Sequence, residues 1–178
     1  MRGRFTWLVL FSAAILVTAL SYVRNVGATP ANAGYTATTL VKGTFGEIDV
    51  FNRSIIPNSG EDERQAKIWL SLQKTKGLSD LYIQNNVWQR GGSTGWHTHP
   101  GHSLIIVTAG TVTEYEGTDR QCQPHVYTQG MTFVDPGGDH VHILRNEGDI
   151  VAQTIAVQLI PAGSARRIDV ADPGNCPF

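Results

Sequence analysis

Short β-forming runs, cut apart by turn residues, constrain this 178-residue chain more than any other feature. Residues 47–51 alternate polar and apolar side chains, the pattern of a strand with one buried face. Further runs occupy 66–73, 81–89, 103–108, 111–116, 131–134, 141–145 and 150–159. Gly91-Gly92, Pro136-Gly137-Gly138 and Glu147-Gly148-Asp149 separate several of them. Many short strands at this spacing predict an all-β sandwich or barrel, and no long helix is indicated. Residues 57–65 are polar and read as a loop or a short helical turn.

The first 33 residues read as an export signal. Arg2 and Arg4 precede an apolar run over residues 5–20, and Ala31-Asn32-Ala33 offers the small-x-small pattern of a cleavage site. A retained membrane anchor is the alternative, but the apolar run is short for a span of about 20 residues. Cleavage after Ala33 leaves 34–178 as one domain of about 145 residues, enough to bury a core. Its expected location is secreted, periplasmic or on the cell-envelope exterior, with no membrane contact after cleavage. Losing Arg2, Arg4 and Arg24 moves the formal net charge from −1 to about −4. Such a surface does not track phosphates, so nucleic acid is excluded as an expected partner.

Two cysteines are present, Cys122 and Cys176. In an oxidising compartment an even pair predicts a disulfide. Closing a loop of about 55 residues would contribute about 4 kcal/mol on the chain-entropy model.

All six histidines fall between positions 97 and 142. Four of them form the pairs His97-Thr98-His99 and His140-Val141-His142. Residues i and i+2 of a strand point to one face, so each pair can aim two imidazoles at one point. Convergence of both pairs inside a barrel would suit Zn, Fe, Mn, Cu, Ni or Co, without choosing among them. His102, in the Pro100-Gly101-His102 turn, is expected to rim the pocket, and His125 to be a solvated loop residue. Glu114 and Glu116 share a strand face, where solvation is expected and general-base service is the sharper alternative. Trp69, Trp88, Tyr82, Tyr115 and Phe133 read mainly as barrel core. Trp96, of opposite parity to His97, should point away from the metal.

These motifs resemble the cupin superfamily. Its first motif, G-x5-H-x-H-x3-4-E-x6-G, is matched by Gly91, His97, His99 and Gly110. Its second, G-x5-P-x-G-x2-H-x3-N, is matched by Gly130, Pro136, Gly138, His142 and Asn146, with one extra residue before the histidine. The resemblance covers residues 85–160 and implies a jelly-roll β-barrel with metal bound inside. His97, His99 and His142 are the implied ligands, and His140 is a competing or additional one. Ser103 occupies the position where most cupins place a glutamate, so the implied site lacks its usual anion.

Function stays open between classes at this level. A metal-dependent enzyme acting on a small molecule, dioxygenase-like or other, is one reading. A non-catalytic module binding a sugar or phenolic, or a metal-stapled structural domain, are the others. A homodimer is an open expectation.

Overall fold

A computed structural model describes residues 33–56 and 67–178. The expected export signal lies outside the described residues except for Ala33, as does the polar stretch 57–65. The described residues form twelve strands and no helix: β1 (Tyr35–Phe45), β2 (Asp49–Ile56), β3 (Lys67–Lys74), β4 (Ser79–Trp88), β5 (His97–Thr98), β6 (Ser103–Ala109), β7 (Thr111–Glu116), β8 (His125–Thr128), β9 (Thr132–Asp135), β10 (His142–Arg145), β11 (Ala152–Pro161) and β12 (Ile168–Asp169). Two five-stranded antiparallel sheets, ordered β1-β4-β11-β6-β9 and β12-β5-β10-β7-β8, make a jelly-roll barrel, and β2 and β3 form a separate hairpin.

Strand alternation fills the barrel. On β11, Ala152, Thr154, Ala156, Gln158 and Ile160 are buried and their neighbours are not. Beside them lie the buried Gln84, Asn86 and Trp88 of β4 and the buried Ser103, Ile105 and Val107 of β6. Trp88, Ile105, Val107, Phe133, Ala152 and Ala156 from the first sheet pack against Val112 and Leu144 from the second. The register makes the interior two-toned. Trp88 pairs with Ala152 at one end, whereas Gln158 of β11, Ser103 of β6 and Asp135 of β9 form a polar row at the other.

A second, smaller core of Trp96, Tyr115 and Ile143 packs against Cys122 and Cys176. Those cysteines form the expected disulfide, with Cα atoms 5.3 Å apart. The bond ties the C-terminal segment to the loop between β7 and β8. Asn175 Nδ2 adds to that tie by donating to the Glu116 and Asp119 carbonyls at 2.8 and 2.6 Å.

Four strands escape the sequence pattern. The Thr-rich β1 shows little alternation because it is a largely exposed sheet-edge strand, held by β4 through a ladder with a bulge at Thr39/Val41. β5 and β12 are two residues each, below what periodicity can register. β8 corrects the loop expected at His125, which pairs with Glu114 of β7 yet is exposed as expected. Trp69 is a second correction. It sits on the β2–β3 hairpin at 51% exposure, on the face opposite to Phe51, Leu70 and Leu72, which are also more than half exposed.

Candidate metal centre

Backbone pairing builds the site. His142 of β10 lies directly opposite His97 of β5, and His99 follows β5 by one residue. The loop of the second motif clamps onto the first: Gly138 N–H donates to the His99 carbonyl at 2.7 Å, and Thr98 Oγ1 donates to the Gly138 carbonyl. Gly137 makes this fit possible. Its φ is +69°, and a Cβ there would lie 2.3 Å from the Gly101 carbonyl oxygen.

The three imidazoles then converge. His97 and His142 ring centres are 4.6 Å apart, His97 and His99 4.8 Å, and His99 and His142 5.8 Å. One ring nitrogen from each lies within 4.8 Å of the others. Each Nδ1 faces outward onto an acceptor: the Gly95 carbonyl at 2.9 Å for His97, the Arg166 carbonyl at 2.5 Å for His99, and Glu114 Oε1 at 2.8 Å for His142. A carbonyl only accepts, so Nδ1 of His97 carries the proton and its Nε2 offers a lone pair, whereas His99 Nδ1 lies between the Arg166 carbonyl and, at 2.9 Å, Gln158 Nε2. Burial, with the charges of His142, Arg167 and His99, holds His97 well below the ordinary imidazole range. Burial also lowers His99. Neutral imidazoles are what a metal requires.

Asp135 was missed by the sequence reading. Fully buried at the end of β9, its Oδ2 lies 3.4 Å from His99 Nε2 and 3.9 Å from His142 Nε2. Burial works to raise its carboxyl, yet the His140 hydrogen bond, the charges of His142 and His99, and the Gly137 N–H leave it below the usual carboxylate value. The signal was available: Asp135 directly precedes Pro136 and shares parity with the core residue Phe133. The expected strand 131–134 stopped one residue short.

His140 does not line this cavity. Its Nε2 meets Glu116 at 3.0 Å and its Nδ1 meets Asp135 Oδ1 at 3.4 Å, so both nitrogens face carboxylates. The Asp135 hydrogen bond first, and Glu116 next, raise His140 to about 9 against the opposing effect of burial. Glu114, His140 and His142 form a second group close enough to share an ion. Within that group Glu114 Oε1 already meets His142 Nδ1 at 2.8 Å. Glu114 is buried rather than solvated, correcting the expectation for it, and also accepts from Tyr127 at 3.2 Å. His102 lines a different recess, beside Lys74, Leu78 and Pro161, so it does not rim the histidine cavity.

The cavity beside the histidines holds about 330 Å³. Ser103, Gln158 and Asp135 line its polar end, Trp88 and Ile105 its apolar end, and Arg166 and Arg167 also line it. Trp96 does not line it, as strand parity predicts. Four buried atoms of residues lining the cavity lack hydrogen-bond partners: Trp88 Nε1, Gln158 Oε1 and, 3.9 Å apart, His142 Nε2 and Asp135 Oδ2. The separation of that last pair is too long for a hydrogen bond. It is near the roughly 3–3.5 Å spacing of two atoms ligating one ion. The residues therefore fit a divalent metal, with a nitrogen-rich donor set suited to Zn, Fe, Mn, Cu or Ni.

The family described as cupin domain matches residues 87–158. Comparison with curated proteins gave no match. Among solved structures, the polyketide cyclase RemF from Streptomyces resistomycificus is 16% identical over 82% of this chain and 79% of its own, with a TM-score of 0.48. A cupin-like protein from Thermotoga maritima is 21% identical over 52% of this chain and 65% of its own, at 0.45. Peruvianin-I, a cysteine peptidase from Thevetia peruviana latex, is 30% identical over 51% of this chain, at 0.42. The chain spans about half the length of some of these proteins, 56% of peruvianin-I and 46% of an oxalate oxidase. The cupin-domain match takes in residues 87–158, the stretch of the all-β barrel that carries His97, His99, Asp135 and His142.

Proposed function

We propose that this chain is an exported metal-binding cupin that acts on a small anionic molecule as a metal-dependent enzyme. One observation carries the reading: unpartnered buried ligand atoms, His142 Nε2 and Asp135 Oδ2, face a cavity large enough for a small molecule. His97, His99 and His142 would hold the ion, which would polarise an oxygen donor bound to it. Glu114 fixes the tautomer and orientation of His142, as an outer carboxylate commonly does for a metal-bound histidine. Arg166 and Arg167 line the cavity and favour an anion. Arg167 is held by the Thr94 carbonyl and Asp169, both at 2.5 Å. The disulfide supports the export reading.

The non-catalytic binding reading is favoured by one fact: Glu114 and Glu116 are each engaged by a histidine, leaving neither free as a base. Titrating acetate and succinate into zinc-loaded and metal-free protein tests the shared premise. Binding is expected only with zinc, and equal binding to both forms would contradict the proposal. Turnover of a bound carboxylate then separates enzyme from binder.

The partner reading is a second copy of this chain. The β2–β3 hairpin exposes Phe51, Trp69 and Leu72, and β1 leaves one sheet edge unpaired among the described residues while exposing Leu40, Val41 and Phe45. A two-stranded hairpin is marginal alone in water. Each copy offers one hairpin and one edge, so a two-fold exchange would cover both. Sedimentation equilibrium is expected to give twice the chain mass, and a monomer at micromolar concentration would contradict it.

A further inference from the structure

Ser103 leaves the three-histidine reading without an anion at the position where the resemblance places a glutamate. The register shows what lies across from that position. Ser103 of β6 pairs directly with Asp135 of β9, and both side chains are buried on the inner face of the sheet. Residues directly opposite in an antiparallel pair have Cβ atoms about 4.5–5.5 Å apart, so a carboxylate at 135 reaches the space that one at 103 would occupy. The shorter aspartate already reaches it, with Oδ2 3.4 Å from His99 Nε2 and without a hydrogen-bond partner.

We propose that Asp135 is the anionic ligand of the metal centre, supplying from β9 the charge that Ser103 cannot supply from β6. The inference rests on the metal-binding reading above. The other carboxylate oxygen is already committed. Asp135 Oδ1 accepts from Gly137 N–H at 2.9 Å and faces His140 Nδ1 at 3.4 Å. Those contacts orient the carboxylate so that Oδ2 faces the histidines. His140 is thereby a positioning residue: its pair with Glu116 on the far side anchors the ring that steadies Asp135. Three neutral imidazoles and one carboxylate reduce the charge of a bound divalent ion by one, as a glutamate at 103 would.

The test uses the full chain, purified without a metal-affinity tag, stripped with chelator and titrated with cobalt(II). Asp135→Asn keeps the side-chain volume and an acceptor for Gly137 N–H but removes the charge. Cobalt affinity is expected to fall by about 100-fold, the upper range for partners one shell further out, with a changed visible spectrum. The double variant Ser103→Glu/Asp135→Asn, with the carboxylate returned to β6, is expected to recover most of that affinity. Unchanged affinity and spectrum in Asp135→Asn would overturn the inference. Should that variant fail to fold, a crystal structure of the cobalt-loaded wild type decides directly. Asp135 Oδ2 is expected about 2.0–2.2 Å from the ion, and a separation beyond about 3 Å would overturn the proposal. His97→Ala keeps the two readings apart. If it abolishes cobalt binding while Asp135→Asn does not, only the role of Asp135 fails; if His97→Ala also binds normally, the three-histidine site fails with it.

Discussion

The histidine cavity and the β2–β3 hairpin break the ordinary rule of burial in opposite directions. At the cavity, the barrel buries His97, His142, Asp135 and Gln158, although unpartnered polar atoms cost roughly 1–3 kcal/mol each. On the hairpin, Phe51, Leu70 and Leu72 stay in water although burying each would gain roughly 1.5–3 kcal/mol. A chain that folds only for its own stability would do neither. Both regions read as incomplete among the described residues, the one wanting an ion with its ligand and the other an apolar surface. Asp80 shows what the barrel does with a polar group that is only structural. It is as buried as Asp135, yet Lys42, Thr44 and Gly163 occupy its oxygens at 2.8, 2.6 and 3.0 Å.

The largest expected effect separates the two regions by their anchoring. The sheet carrying His97 and His142 packs on the disulfide, and the hairpin does not. Replacing Cys122 and Cys176 by Ser should cost about 4 kcal/mol in chemical denaturation. A loss under about 1 kcal/mol would show that the histidine sheet holds itself. Next comes Phe51→Lys on the hairpin face that also carries Leu70 and Leu72. Losing one aromatic anchor should weaken a dimer by about 2 kcal/mol, roughly 30-fold in its dissociation constant, while the monomer's own stability barely moves. An unchanged dissociation constant would put the interface elsewhere.

Glu114→Gln probes the cavity more gently. The His142 ring loses its anionic partner but keeps its place, so metal affinity should fall about 10- to 100-fold, or about 1.4–2.7 kcal/mol. No change would mean that Glu114 serves only the β7–β10 packing. The smallest effect belongs to Asp80. The Lys42 hydrogen bond, then those from Thr44 and Gly163, lower its carboxyl to about 2. A depressed folded-state value stabilises the fold above the unfolded-state value of about 4. That contribution disappears as pH falls through about 2. Melting temperatures of wild type and Asp80→Asn should therefore differ above pH 4 and converge towards pH 2. A gap independent of pH would contradict the assignment.

Alternation and breakers made most of the barrel legible. Where a strand has one wet and one dry face, as β11 does over Ala152–Pro161, the period of two is written into the residues. The edge strand β1 has no dry face of that kind, so only its pairing with β4 reveals it. The same limit governed the site. The convergence of His97, His99 and His142 was legible because a His-x-His pair on a strand has few structural uses. The place of Asp135 beside them was not, because it is set by the pairing with Ser103 across the sheet, 32 residues away in sequence. His140 shows the converse: parity alone pointed it inward, and two carboxylates, Glu116 and Asp135, hold it instead. Trp69 read as core because an aromatic residue in an alternating run normally is, and nothing local marks a hairpin that stands outside the barrel.

Elemental analysis tests the central claim most directly, on exported protein purified without an affinity tag. About one divalent ion per chain is expected in the wild type, falling to background in His97→Ala and in His142→Ala while the exposed His125→Ala retains it. A wild type free of metal after incubation with excess zinc, or a full complement retained by both ligand variants, would contradict the account.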